Sequence, residues 1–197
     1  MRAHWFGPLA LALACAAVAA GCGKHSTTAP APPVSITASI SDVTSNGQPA
    51  TLHPTGSPPA ASATGAPKIT LTGNTSAVPG GSDPANVTSD TALSAVYISA
   101  QNHDGYYEIP LAGATSLPVL LLVNRSASQN FTLNFSGAAP GPGTTEVVSS
   151  AVALSVTLVK VANDNLQVNL SWDVDADLDL HLVEPGGEEI YYGNRKS

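Results

Sequence analysis

Cysteine, charge and helical periodicity are all scarce in this sequence. The only cysteines are Cys15 and Cys22, so a disulfide framework, a cysteine metal site and a cysteine nucleophile are excluded for the rest of the chain. Charged residues make up 11% of the sequence, against about 25% in average domains. The Lys and Arg residues form no cluster and the net charge is -7. Nucleic acid is therefore not an expected partner, because phosphates require a basic surface.

Helical periodicity is missing beyond the N-terminal segment, and alternation takes its place. Short runs alternate apolar and polar residues and are separated by Gly, Pro, Asn and Asp, which is typical of half-buried strands and turns. Spacing near ten residues predicts an all-β protein, with residues 68–161 forming an antiparallel immunoglobulin-like or fibronectin-like β-sandwich. The predicted strands are 34–40, 68–73, 93–100, 106–111, 117–124, 130–137 and 147–161.

The N-terminus has the layout of an export signal. Arg2 gives it a positive start, and Leu9 to Ala20 form an apolar run that is too short to span a bilayer as a helix. The small residues that end this run, followed by Cys22, resemble the bacterial lipobox, in which the cysteine is lipidated. Cys15 is a weaker candidate because it lies inside the apolar run. Residues 1–21 are thus expected to be a lipoprotein signal peptide, which predicts a lipid-anchored protein of the bacterial cell envelope, at the outer membrane or the periplasmic face.

Two Pro-rich stretches predict how the rest is arranged. Residues 22–33 are polar and Pro-rich, which indicates an extended tether between the lipid and a folded domain. Residues 34–67 are expected to be one strand followed by a low-complexity linker, since 46–67 is rich in Pro, Ala, Ser and Gly. A loop of that length is uncommon inside a compact domain.

An acidic run near the C-terminus invites a metal-site hypothesis. Alternating residues on a strand lie on one face about 7 Å apart, so clustered carboxylates repel unless a cation neutralises them. Ca²⁺ accepts such oxygen ligands, and a histidine at the end of the run is a further possible ligand that favours Zn²⁺ or Mn²⁺. The alternative is a solvated acidic strand face. The candidate ligands are Asp173, Asp175, Asp177 and Asp179, with His181.

The spacing of these aspartates imitates an EF-hand loop, but the motif is rejected. Glu184 would take the last ligand position, yet Leu178 stands where the loop needs glycine. The flanking residues also alternate like strands, with 166–172 and 178–183 predicting a hairpin.

The stretch from Trp172 to Asn194 closely resembles the start of the YfaP-like family, a bacterial domain of unknown function. The resemblance covers residues 165–197 and implies an exported, β-rich accessory domain without established catalysis. That domain extends further in the family, so we expect 165–197 to be its truncated start. A weaker resemblance of the Asp-Leu-Asp-Leu core to calcium-binding tellurium-resistance domains favours Ca²⁺. The matching positions are Trp172, Asp173, Asp175, Asp177, Leu178, Asp179, Leu180, His181, Pro185, Gly187, Ile190, Tyr191, Tyr192 and Asn194.

No catalytic motif is present in the sequence. There is no Gly-x-Ser-x-Gly, phosphate loop or His-Glu-x-x-His, so a non-enzymatic binding, adhesion or structural module with an envelope protein or glycan partner is the leading hypothesis. The alternative is a hydrolase or accessory carbohydrate-binding protein that uses the Asp-rich strand. Tyr106 and Tyr107 follow a predicted turn, where they either stack on a sugar or divide between the core and its rim; the turn chemistry favours the latter.

Overall fold

A computed structural model describes residues 32–143, 145–159, 179, 181–191 and 193. The signal peptide, Cys22 and nearly all of the tether lie outside these residues. Among the described residues no helix is long and apolar enough to cross a membrane. The strands in chain order are β1 (Val34–Ser35), β2 (Ile40–Ser45), β3 (Gln48–Pro49), β4 (Thr51–His53), β5 (Ile69–Gly73), β6 (Ser76–Ala77), β7 (Ser82–Ala100), β8 (His103–Asp104), β9 (Tyr106–Val123), β10 (Phe131–Pro140), β11 (Glu146–Val148), β12 (Val152–Leu158), β13 (Leu182–Val183) and β14 (Glu189–Ile190).

Ten of these strands form one hydrogen-bonded sheet. Its main path runs β3-β2-β9-β7-β10-β12-β6, while β4 pairs with β9, β5 with β7 and β11 with β10. Most neighbours are antiparallel, and β6 joins β12 in parallel. Two small sheets lie apart from this path: β1 with β8, and the β13–β14 hairpin. The all-β class that the alternating pattern predicts is confirmed, whereas the immunoglobulin-like or fibronectin-like topology stays a prediction.

The long strands β7 and β9 carry the sheet round a bend. Their pairing shifts register between Thr88 and Leu93 and again before Ala95, and such irregularities increase local twist and bending. β5 pairs with the first part of β7 and β10 with its last part, and β5 packs on β10 and β12 without pairing with them. A Cβ placed on Gly137 of β10 would lie 2.9 Å from Ile69 of β5. Glycine therefore lets the two layers approach closely at this point.

The main core lies inside this curled sheet. Alternating residues of the long strands point into it, which is the expected consequence of a period of two. The phenol of Tyr107 is also buried and satisfies its polar atom by donating to the carbonyl of Ile40 at 3.1 Å. The largest fully buried side chains are Tyr107, Phe135, Ile36, Ile40, Leu93, Ile98, Leu117, Leu121, Leu133, Val43, Val87 and Val96.

The segment 34–67 is part of the same sheet as residues 68–158. It supplies β2, β3 and β4, and β2 and β4 pair with β9. Within the predicted strand 34–40, Ile36–Ala38 instead form a 3-10 helix, because the Ser35 side chain accepts a hydrogen bond from the Thr37 amide. That part of the strand prediction is wrong.

Residues 54–67, hereafter the strap, run across the outer face of the sheet. One anchor is near the β8–β9 turn, where the Gly56 amide donates to Asp104 Oδ1 at 2.7 Å. The other is at β11, where the Ser62 amide donates to the Val148 carbonyl at 2.8 Å. Between the anchors lies a second cluster formed by Ala95, Tyr97, Ala138 and Val148, whose members are at most 4% exposed. The Ser62 hydroxyl also accepts from the Val148 amide at 3.0 Å. The stretch expected to be a linker is thus tied to the sheet by polar bonds that leave no apolar pattern in the sequence.

Two other strand predictions are partly wrong. The predicted strand 147–161 is interrupted between β11 and β12, where the Ser149 hydroxyl accepts a hydrogen bond from the Gly137 amide at 2.9 Å. A side chain that bonds the backbone in this way competes with the ladder. In addition, β7 begins at Ser82, eleven residues before the predicted strand at 93, because polar and small residues there hide the alternation.

Candidate functional site

An open pocket, hereafter the neutral pocket, has a volume of about 630 Å³. It lies where the 3-10 helix, the β7–β8 turn and residues 126–132 meet the end of β12. None of the described residues that line it is Asp, Glu, Lys or Arg, and most carry a hydroxyl or an amide. Its lining is Val34, Ala38, Ser39, Gln101, Asn102, His103, Ser126, Ala127, Ser128, Gln129, Asn130, Phe131, Thr132, Ser155, Val156 and Thr157.

A serine and a histidine are paired in the wall of this pocket. Ser39 Oγ lies 3.0 Å from His103 Nε2, and His103 Nδ1 lies 2.8 Å from the carbonyl oxygen of Gln101. A carbonyl only accepts hydrogen bonds, so Nδ1 carries the ring proton and donates to Gln101. Nε2 of the neutral ring is then an acceptor, and the Ser39 hydroxyl donates to it.

The local backbone explains this arrangement. Ser39 caps the C-terminal end of the 3-10 helix, where its amide donates to the Ile36 carbonyl. Asn102 has φ of 62°, a left-handed conformation that few residues other than Gly, Asn and Asp tolerate. That conformation turns the chain sharply after Gln101 and directs His103 back towards Ser39.

A second polar group lies on the outer face beside the strap. His53 and Tyr106 stack with ring centroids 4.4 Å apart, and His53 Nε2 donates to Glu108 Oε2 at 2.8 Å. The Tyr97 hydroxyl donates to Glu146 Oε2 at 3.3 Å. Burial, then the nearby charges of Glu146 and Glu108, raise the pKa of Tyr97 to about 12, so its phenol stays protonated. These contacts pair the polar side chains of this group with one another.

A buried carboxyl lies at the start of β7. Asp83 is 2% exposed, and neither of its oxygens has a hydrogen-bond partner among the described residues. Burial raises the pKa of Asp83 to about 6, an effect that the nearby Asn74 side chain partly offsets. Asp83 faces the core beside Leu121, its partner on β9, and takes no part in the neutral pocket.

The predicted metal site lies mostly outside the described residues. Asp173, Asp175 and Asp177 are not described, and Asp179 is exposed. His181 Nδ1 lies 2.7 Å from Glu189 Oε1 across the β13–β14 hairpin, a contact with one carboxylate. Within the described ranges, no three His, Cys, Asp or Glu side chains come together in a group that would hold a metal ion. The calcium site stays a prediction, as does lipidation of Cys22.

The two turn tyrosines divide as the turn chemistry predicts. Tyr107 is 2% exposed in the main core, and Tyr106 is half-buried at the rim, against His53. The sugar-stacking alternative is less favoured, because His53 already covers one face of the Tyr106 ring.

Nothing in the sequence predicts that Ser39 and His103 form a pair. They are 64 residues apart, and neither lies in a catalytic motif. The only local sign was the Gln-Asn-His-Asp turn, which predicts a tight connection but no chemistry. No protein-family model matches the chain, and no curated protein matches it.

Proposed function

We propose that this chain is an exported, lipid-anchored binding module of the bacterial cell envelope, and that the neutral pocket takes a neutral glycan. The observation that carries the proposal is the lining of the pocket: about 630 Å³ surrounded by hydroxyls and amides without an acidic or cationic side chain. The volume falls within the range of about 300–1,000 Å³ that is usual for ligand pockets.

The chemistry of this lining favours sugar hydroxyls over charged ligands. Each sugar hydroxyl both donates and accepts, and the side chains of Gln101, Asn102 and Gln129 offer both functions. An anionic ligand would lose water without gaining a charged partner, which is costly. Phe131 adds an apolar surface to the wall, suited to the C–H face of a sugar ring.

The envelope location is supported by the lipobox-like residues before Cys22 and by the YfaP-like resemblance of residues 165–197. The membrane is then a partner through the N-terminal lipid. We also propose Ca²⁺ as a ligand of the Asp-rich run, a proposal that does not depend on the glycan. The proposed module needs no catalysis to act in adhesion or envelope structure.

Glycan binding is tested with the full chain on an array of neutral, anionic and cationic oligosaccharides. Gln101 and Gln129 are exposed residues in the pocket lining, so the double variant Gln101→Ala, Gln129→Ala removes two amides with little effect on the fold. We expect retention on neutral glycans that falls at least about tenfold in this variant, equivalent to about 1.4 kcal/mol.

The matched control is Gln48→Ala, which removes an exposed amide on β3 outside the pocket lining and is expected to bind like the wild type. Binding confined to charged glycans, or binding that the double variant leaves unchanged, contradicts the proposal.

A further inference from the structure

We propose that Ser39 and His103 form a nucleophile and general base in the neutral pocket, and that together they hydrolyse small neutral carboxylic esters. The geometry that assigns this role is the chain of two hydrogen bonds from Ser39 Oγ to His103 Nε2 at 3.0 Å and from His103 Nδ1 to the Gln101 carbonyl at 2.8 Å. This activity goes beyond glycan binding, and its chemistry does not depend on which glycan the pocket holds.

The two bonds give the pair the polarity that acyl transfer requires. A serine is activated when its hydroxyl proton points at an unprotonated histidine nitrogen, with a third group orienting the ring. The Gln101 carbonyl is such a group, because it holds the proton on Nδ1 and leaves Nε2 free to take the proton of Ser39. The opposite tautomer would leave Nδ1 facing the carbonyl without a proton.

The serine is both held and accessible. Its amide donates to Ile36 and its carbonyl accepts from the Asn124 amide at 2.8 Å, so the backbone is fixed on both sides. The residue is 6% exposed and is one of the residues that line the neutral pocket. A nucleophile that is held by its backbone in the wall of a pocket is preorganised for a bound substrate.

The backbone next to the histidine turns sharply. Asn102 has φ of 62°, a left-handed conformation that asparagine tolerates better than most residues. The turn places His103 beside Ser39, on a strand that also pairs with β1. Positioning of the base therefore depends on the fold and not on a flexible loop.

The reaction proceeds in two balanced steps. Ser39 Oγ attacks the ester carbonyl carbon while its proton passes to His103 Nε2. The bond from the acyl carbon to the alcohol oxygen then breaks, and Nε2–H protonates the leaving alcohol, which gives acyl-Ser39. Water, deprotonated by Nε2, attacks the acyl group; the carboxylic acid leaves, and the proton returns to Ser39. No oxidant or reductant is required.

The missing carboxylate restricts the substrate. In a serine triad an aspartate stabilises the imidazolium that forms, whereas here the partner is a neutral carbonyl. An imidazolium is therefore less stable, and amides, whose leaving group is poor, are expected to react too slowly to detect. Esters have a better leaving group, and the neutral lining favours uncharged ones, such as acetyl esters of sugars.

The test uses the folded full chain with two probes, p-nitrophenyl acetate and a neutral fluorophosphonate. We expect the fluorophosphonate to label Ser39, as mass spectrometry of the peptides would show. Hydrolysis of p-nitrophenyl acetate should fall at least about 100-fold in Ser39→Ala and in His103→Gln, a loss typical of general-base removal. Labelling of Ser39 should be lost in His103→Gln as well. Ser150→Ala, which removes an exposed hydroxyl between β11 and β12 that is outside the pocket lining, should match the wild type.

The inference is overturned if Ser39 stays unlabelled in the wild type, if labelling falls elsewhere, or if Ser39→Ala hydrolyses the ester at the wild-type rate. Melting curves of each variant show whether it is folded, and the wild-type label decides the matter if a variant does not fold. Labelling without glycan retention would contradict the proposed function alone. Retention without labelling would contradict only the esterase proposal.

Discussion

Asp83 should make the protein less stable at neutral pH than at acidic pH. Its carboxyl is 2% exposed and without a hydrogen-bond partner among the described residues. Burial raises its pKa from 3.8 to about 6. At a pH below the ordinary value the carboxyl is protonated in both states. As pH rises from about 4 through 6, the Asp83 carboxyl ionises first in the unfolded chain, so the free energy of unfolding falls. Above both pKa values of this carboxyl, its destabilising effect is complete.

The magnitude follows from the shift. A difference of about 2.2 pH units, at about 1.36 kcal/mol for each, corresponds to at most about 3 kcal/mol. Between about pH 4 and about pH 7.5 roughly 2.5 kcal/mol of this develops, since the unfolded carboxyl is already partly ionised at the lower value. Water that enters beside the strand end would reduce the figure.

The assay is urea unfolding of the wild type and Asp83→Asn at both pH values. Asparagine keeps the shape but carries no charge, so the free energy of unfolding of the variant relative to the wild type should rise by roughly 2.5 kcal/mol from the acidic to the neutral condition. Asp90→Asn is the matched control, because Asp90 is an exposed aspartate on the same strand and its relative stability should change by less than about 0.5 kcal/mol. A relative stability of Asp83→Asn that does not vary with pH would refute the reasoning.

Three further predictions concern the strap, the lipid and the acidic run. Gly105→Ala should destabilise the fold by about 2–4 kcal/mol in urea unfolding, because φ of Gly105 is 85° and the new Cβ would lie 2.7 Å from a backbone carbonyl oxygen. The control Gly143→Ala is also at positive φ but has no atom within 4 Å of the new Cβ, so it should cost less. Equal losses of stability in the two variants would contradict the role of the close approach. Cys22→Ser should release the protein from the membrane fraction, and mass spectrometry should find an acylated Cys22 in the wild type. An unmodified N-terminus at another residue would contradict the predicted lipidation. For the Asp-rich run, Ca²⁺ at 100 times its Kd should raise the free energy of unfolding by about 2.7 kcal/mol, an effect that Asp177→Asn with Asp179→Asn should abolish. The absence of a melting shift at millimolar Ca²⁺ would leave the run as a solvated strand face.

The sequence by itself determined the all-β class and several strand positions. Period-two alternation is a local property of the chain, so β10 was found within one residue at its start, and the division of Tyr106 and Tyr107 between rim and core followed from a turn and the pleat. Two cysteines near the N-terminus also rule out a disulfide framework in the rest of the chain, whereas the absence of a nucleic-acid partner stays a prediction.

Only the tertiary structure decided where the Pro-rich stretch lies and which polar residues meet. The strap is anchored by Gly56 and Ser62 through backbone and hydroxyl bonds, which have no periodic signature. Ser39 and His103 come together because β1 pairs with β8 across the fold, a long-range contact that no spacing in the chain records. Asp83 is buried because it lies beside Leu121 on the core-facing side of β7, and burial is a property of packing that its neighbours in sequence do not show.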